Sequence, residues 1–256
     1  MGFEGLSAEL VGWIALVTLV AGLIQGTLGF GFPFIATPLI ALASDMRTAI
    51  IAVALPTLAT IVVALAASGP LKATLARFWM MPLYHVIGAA AGTWLFVAAP
   101  GLPYLLILGV MTLVYLNLDR LGRTDWPLVR RHERRFAPAS GLAAGVFEGT
   151  ANVAAPPLII FYLALDLAPA MLVQGLNICF LVGKATQVTV LTTRGGVTAS
   201  QWVATLPFVA IGVAASLVGV RLRSRIDALT YRAWVKRALF VISLALLAQY
   251  AYSLLA

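Results

Sequence analysis

Of 256 residues, 62% are apolar and 10% charged, against about 25% charged in an ordinary soluble domain, so the chain has too few ionised groups to coat a globule of this size. Runs without Asp, Glu, Lys or Arg, such as Leu10–Ser44, Thr48–Leu71 and Phe78–Leu118, reach or exceed the roughly 20 residues that span a bilayer as helix. The ten-residue polar/apolar alternation of a membrane β-barrel is absent. The net charge of +8 sits in connections between apolar runs, where it reads as an orientation signal and excludes nucleic acid as a partner.

Taken in chain order, turn residues and charges divide the sequence into eight hydrophobic segments: 10–43, 47–69, 77–98, 102–118, 137–165, 168–192, 199–220 and 237–255. The fold class is therefore an all-α integral membrane protein. Glu4 and Glu9 precede the first segment, where a signal peptide carries basic residues, so that segment is expected to persist in the mature protein. Cys179 is the single cysteine and lies in an apolar run, which excludes an intrachain disulfide. Trp13, Trp79, Trp94, Trp126, Trp202 and Trp234 fall mostly near segment ends and read as interfacial anchors.

The polar connection Asp119–Arg135 holds Arg120, Arg123, Arg130, Arg131, Arg134 and Arg135 and falls almost at the middle of the chain. It divides a first membrane repeat, 1–118, from a second, 137–256, with 119–136 as a cytoplasmic basic connection. A shift of 119 residues lays Ala21–Ile40 on Ser140–Ile159 with seven of twenty pairs identical, including Gly22 with Gly141, Gly26 with Gly145 and Pro38 with Pro157. Duplicated halves are a frequent transporter architecture.

Charge parity refines the topology. If every segment crossed once, the basic residues would divide nine to seven between the two sides, against the cytoplasmic bias of Lys and Arg. If 10–43 and 137–165 each enter and return, fourteen share one side and only Arg47 and Arg194 lie on the other, with Lys184 inside the membrane. Glycine and proline at the centres of these two long segments supply the break. Both termini are then periplasmic, each half changes sides an odd number of times, and the halves are inverted relative to each other.

Non-helical backbone at membrane depth survives only where protein buries it or a polar cavity reaches it. The expected places are Gly22-x-x-x-Gly26-x-x-Gly29-x-Gly31-x-Pro33 and Gly141-x-x-x-Gly145-x-x-Glu148-Gly149. Gly22/Gly26 and Gly141/Gly145 fit ordinary small-residue helix packing better, whereas Gly29, Gly31 and Pro33 are crowded beyond what packing requires. Where a helix restarts after a break, its amides and its dipole favour an anion. Polar side chains gather there: Gln25 and Thr27 in the first motif; Glu148, Thr150 and Asn152 in the second. Asn177, Lys184 and Gln187 share one face of the next segment.

For Glu148 and Lys184 two readings stay open. Lys184 binds a substrate anion while Glu148 carries a coupling proton, or the two neutralise each other as a structural pair. His85 is either a proton relay or a neutral histidine bonded to a nearby carbonyl. Candidate substrate-binding residues are thus Gln25, Thr27, Gly29, Gly31, Thr150, Asn152, Asn177, Lys184 and Gln187, with Glu148 and His85 as candidate coupling residues. Serine-hydrolase, zinc-protease and phosphate-loop motifs do not occur, so no enzyme activity, metal or cofactor is expected.

The duplicated glycine motif at Ala21–Leu39 and Ser140–Leu158, with the eight segments and arginine-rich middle, resembles the TauE/SafE sulfite exporter family along essentially the whole chain. That resemblance implies a secondary transporter of the bacterial inner membrane moving small sulfur anions such as sulfite, sulfoacetate or another organosulfonate, usually outward. The second copy departs from the pattern, with Glu148 opposite Gly29 and Thr150-Ala151-Asn152 in place of a second glycine pair. A passive anion channel and a membrane scaffold or enzyme are the alternatives. A homodimer suits so small a bundle, although no residue specifies one.

Overall fold

The computed structural model describes residues 6–117, 127–223, 237, 240–241, 243–248 and 250–252. The expectations for Arg120, Arg123, Trp126, Arg225, Arg232, Trp234 and Lys236 lie outside them. Among the described residues there is no strand. The helices are α1 (Ala8–Leu28), α2 (Phe32–Ala43), α3 (Met46–Ala66), α4 (Lys72–Phe78), α5 (Met80–Ala98) and α6 (Tyr104–Leu116). They continue as α7 (Pro127–Arg131), α8 (Glu133–Ala151), α9 (Ala155–Ala164), α10 (Pro169–Thr193), α11 (Ala199–Ala204) and α12 (Leu206–Leu222). Among the described residues, five stretches are long and apolar enough to cross a membrane: α1, α3, α5, α10 and the α11–α12 unit. The chain is an all-α, multi-pass membrane protein.

Local chemistry sets the helix ends. Ser7 caps α1 by accepting the Leu10 amide, and Asp45 caps α3 by accepting the amides of Arg47 and Thr48. Thr198 and Gln201 close a reciprocal capping box on α11. The basic connection carries helix as well: Arg130 and Arg131 lie in α7, and Arg134 and Arg135 open α8.

The first broken segment parts where expected. Gly29 ends α1 at φ +84°, its amide bonded to the Gln25 carbonyl, and Gly31 at φ +119° precedes α2, whose first turn holds Pro33. The second parts later than expected. Gly141, Gly145, Glu148 and Gly149 are all helical, and the chain leaves α8 at Asn152, φ +62°. Asn is among the few side chains that tolerate the left-handed region, so it takes the place glycine holds in the first half. A helix of 12 or 10 residues, as in α2 and α9, spans about 15–18 Å, half the hydrocarbon core.

Both broken segments fold back. Trp13, near the start of α1, donates its indole N–H to the carbonyl of Leu39, near the end of α2 (3.0 Å). Arg130, just before α8, donates to the carbonyl of Ala164, the last residue of α9 (2.8 Å). A single crossing would hold the ends of each segment a membrane apart. Each broken segment is therefore a helical hairpin whose two ends lie close together.

The glycines explain the close packing. A Cβ on Gly22 or Gly26 would overlap α12 at the carbonyls of Gly212 and Ser216, and one on Gly141 or Gly145 would overlap α5 at the carbonyls of Met81 and His85. The spacings agree: Gly26 faces the carbonyl of Ser216, Gly219 and the amide of Val220, while Gly145 faces the carbonyl of His85, Gly88 and the amide of Ala89. α1 and α8 thus each pack, backbone to backbone, on a long helix from the opposite side of the middle connection.

α3 and α10 run antiparallel. Arg47, at the start of α3, donates to the carbonyl of Gly195 beyond the end of α10, while Gln174 near the start of α10 donates to the carbonyls of Ser68 and Pro70 beyond the end of α3.

Candidate functional site

The 25-residue α10 passes both helix breaks with one face. Asn177 meets the first: its amide nitrogen donates to the carbonyls of Gly29 (2.6 Å) and Val173 (2.8 Å), and its oxygen accepts from Gln25 (3.2 Å). The oxygen of Gln25 in turn accepts the amide of Phe32, the first residue of α2 (3.0 Å). Gln25 and Asn177 thus satisfy backbone groups that the break exposes, as membrane depth demands.

Seven residues further along α10, about 10 Å of rise, Lys184 meets the second break. Its ammonium donates to Asn152, to the Gln187 side-chain oxygen (2.8 Å), and lies 3.3 Å from one Glu148 oxygen. The other Glu148 oxygen is 2.6 Å from His85 Nε2 on α5. Gln187 also donates to the Glu148 carbonyl (3.0 Å), serving the frayed end of α8. Asn152 donates to the Thr37 hydroxyl of α2 (2.8 Å), which ties the second break to the first hairpin.

Burial gives this network its character. Lys184 and His85 are 0% exposed, Asn152 1% and Glu148 2%. At 3.3 Å the ion pair gains about 5 kcal/mol at an effective dielectric of 20, and removing two ions from water costs several kcal/mol each. The pair alone does not offset that cost. The surrounding hydrogen bonds are what make the charges tenable, and any step that loosens them releases a buried cation or anion.

The structure brings together Gln25, Gly29, Asn152, Asn177, Lys184, Gln187, Glu148 and His85. It leaves Thr27 and Thr150 out of the network, since their hydroxyls bond carbonyls of their own helices, at Leu23 and Ile24 and at Val146. Gly31 contributes backbone conformation rather than clearance, as a Cβ there would meet only Ile24 at 3.8 Å. His85 departs from the carbonyl-bonded reading: Nε2 bonds a carboxylate, while buried Nδ1 has no partner among the described residues. The half-helix starts also offer fewer amides than expected, because Pro33, Pro156 and Pro157 carry no N–H and the Phe32 amide is taken by Gln25.

Two residues escaped the sequence reading. Thr37 is a lone hydroxyl one position before Pro38 in an apolar half-helix. Gly183 leaves the space in which the network forms, since a Cβ there would stand 2.3 Å from Glu148 Oε2 and 2.4 Å from His85 Nε2. A glycine next to a buried lysine is a signal available from sequence; which groups fill its space is not.

Helices broken beside a buried charged network are a recurrent feature of membrane transporters. The family model for the sulfite exporter TauE/SafE family matches residues 14–250, and the chain belongs to that family. At family level this makes it a membrane transporter of sulfur-containing anions. No curated protein and no solved structure matches the chain significantly.

Proposed function

We propose that this chain is a secondary transporter that carries sulfite, sulfoacetate or another small organosulfonate across the bacterial inner membrane by alternating access. The observation that carries the reading is the buried Lys184–Glu148–His85 network at the second helix break, which Asn152 ties to Thr37 of the first hairpin. In the closed form Glu148 is the counter-anion of Lys184. A proton taken up by the Glu148–His85 pair removes that negative charge, and a substrate oxyanion replaces it at Lys184 Nζ. Loss of the proton on the other side restores the pair and expels the anion. One proton thus accompanies one anion, and direction follows their combined gradients.

The chain is read here as two duplicated, inverted units, 1–118 and 137–256. The support is the matching glycine contacts of α1 and α8, and the antiparallel course of α3 and α10, which hold the same place in each unit. Each unit contributes one break. Arg47 beside Gly195 brings the two sparse basic positions together at one end of the bundle; this reading takes that end as periplasmic and assigns both termini to the same side.

Proteoliposomes containing the purified protein and a lumenal pH indicator test the proposal. Sulfite or sulfoacetate flux that saturates and carries protons is expected, and Glu148→Gln should abolish the proton signal. Unsaturated, electrically conducted flux without protons identifies a channel instead. Absence of flux under every gradient points to a scaffold or enzyme.

A further inference from the structure

The basic residues at the start of α8 do more than sit on one side of the membrane. Arg77, Arg130, Arg131, Arg134 and Arg135, with Ala76, Trp79, Met80, His132 and Glu133, line a half-open cavity of about 830 Å³, within the size range of ligand sites. Glu133 is the sole acidic group in that wall, and it is paired with Arg77 (3.0 Å). An orientation signal requires only that cationic residues lie on the same side; it does not require five guanidinium groups to line one hollow.

A second, smaller cavity of about 330 Å³ adjoins the first, sharing His132 and Arg135. Its other walls, Leu128, Phe136 and Ala139, are apolar. Leu128 is 61% exposed and Trp79 58%. A cationic hollow that shares two wall residues with an apolar groove matches an amphiphile with an anionic head and a hydrocarbon tail. Sulfite is far too small to fill 830 Å³ and has no use for the groove.

We infer that these two cavities form a binding site for an anionic phospholipid, its phosphate group among Arg131, Arg134 and Arg135 and one acyl chain along Leu128, Phe136 and Ala139. The site is independent of the transport reading. It joins α4 and α5 to α7 and α8, so an occupied site reinforces the packing of α5 on the second hairpin.

The test uses the full-length protein in detergent, with phosphatidylglycerol and phosphatidylcholine as probes and inorganic phosphate as the free-anion control. Phosphatidylglycerol should raise the melting temperature and remain bound in native mass spectra, while phosphatidylcholine and phosphate should do neither. Arg134→Gln with Arg135→Gln should weaken phosphatidylglycerol retention by about thirtyfold, from roughly fivefold per arginine near a membrane. Both side chains are exposed, and the variant leaves the Arg77–Glu133 pair and the Arg130–Ala164 bond in place. Leu128→Ser should weaken retention without altering the charge. Equal stabilisation by both lipids, or stabilisation by phosphate alone, overturns the proposal, the latter identifying a free-anion site.

Discussion

Replacing Lys184 by Met removes the ammonium and keeps most of the side-chain volume, so the consequence is electrostatic rather than steric. Three acceptors then lose their donor: Glu148 Oε1, Asn152 Oδ1 and Gln187 Oε1. All three residues are buried to 2% exposure or less. Removing one partner of a buried pair costs about 3–5 kcal/mol, because an uncompensated charge remains. For a chain of this length that lowers the melting temperature by roughly 10–15 °C. Adding Glu148→Gln removes the stranded charge and leaves neutral deficits of about 1–3 kcal/mol, so the double variant should melt above Lys184→Met alone. The protein supplies its own reporter: Cys179, its single cysteine, is fully buried and becomes reactive to a fluorogenic maleimide on unfolding. Both variants should lose anion transport if Lys184 holds the substrate. A Lys184→Met variant that melts within about 2 °C of the parent, or a double variant less stable than Lys184→Met alone, refutes a stabilising role for the buried pair.

Gly183→Ala places a methyl group against the flexible ends of Glu148 and His85, so the fold should persist while the Glu148–His85 contact parts; thermal stability and the pH profile of transport, measured together, check this. Gly145→Ala meets backbone instead, 2.2 Å from the His85 carbonyl, and should destabilise by about 1–3 kcal/mol as α8 and α5 are forced apart. Gly12→Ala is its control: a Cβ there meets nothing within 4 Å, and the melting temperature should hold or rise, by about 0.5–1 kcal/mol of helix propensity. Cysteines introduced as Arg47→Cys and Arg194→Cys should react with an impermeant maleimide from one side of the membrane, and one introduced as Arg134→Cys from the other; a different partition refutes the inverted topology.

Composition and run length were enough to establish a helical membrane protein, since the hydrocarbon core imposes a length of apolar helix that can be counted along the chain. Positive-charge parity also identified two segments that return, and Trp13–Leu39 and Arg130–Ala164 show the return in space. Gly29, Gly31 and Pro33 marked the first break because few residues other than glycine adopt a left-handed backbone easily. The second break was misplaced at Glu148–Gly149, because Asn152 does the work of a glycine and residue type alone does not reveal that. The shared face of Asn177, Lys184 and Gln187 follows from helical spacing. What that face meets does not: Glu148 is 63 residues from His85 and 36 from Lys184, and Thr37 lies 115 from Asn152. Such contacts depend on which helices touch, a choice made by backbone-to-backbone fits at Gly22, Gly26, Gly141 and Gly145. Helix identity is local and can be read along the chain. The pairing of one helix with another is a property of two surfaces at once, and only the tertiary structure supplies it.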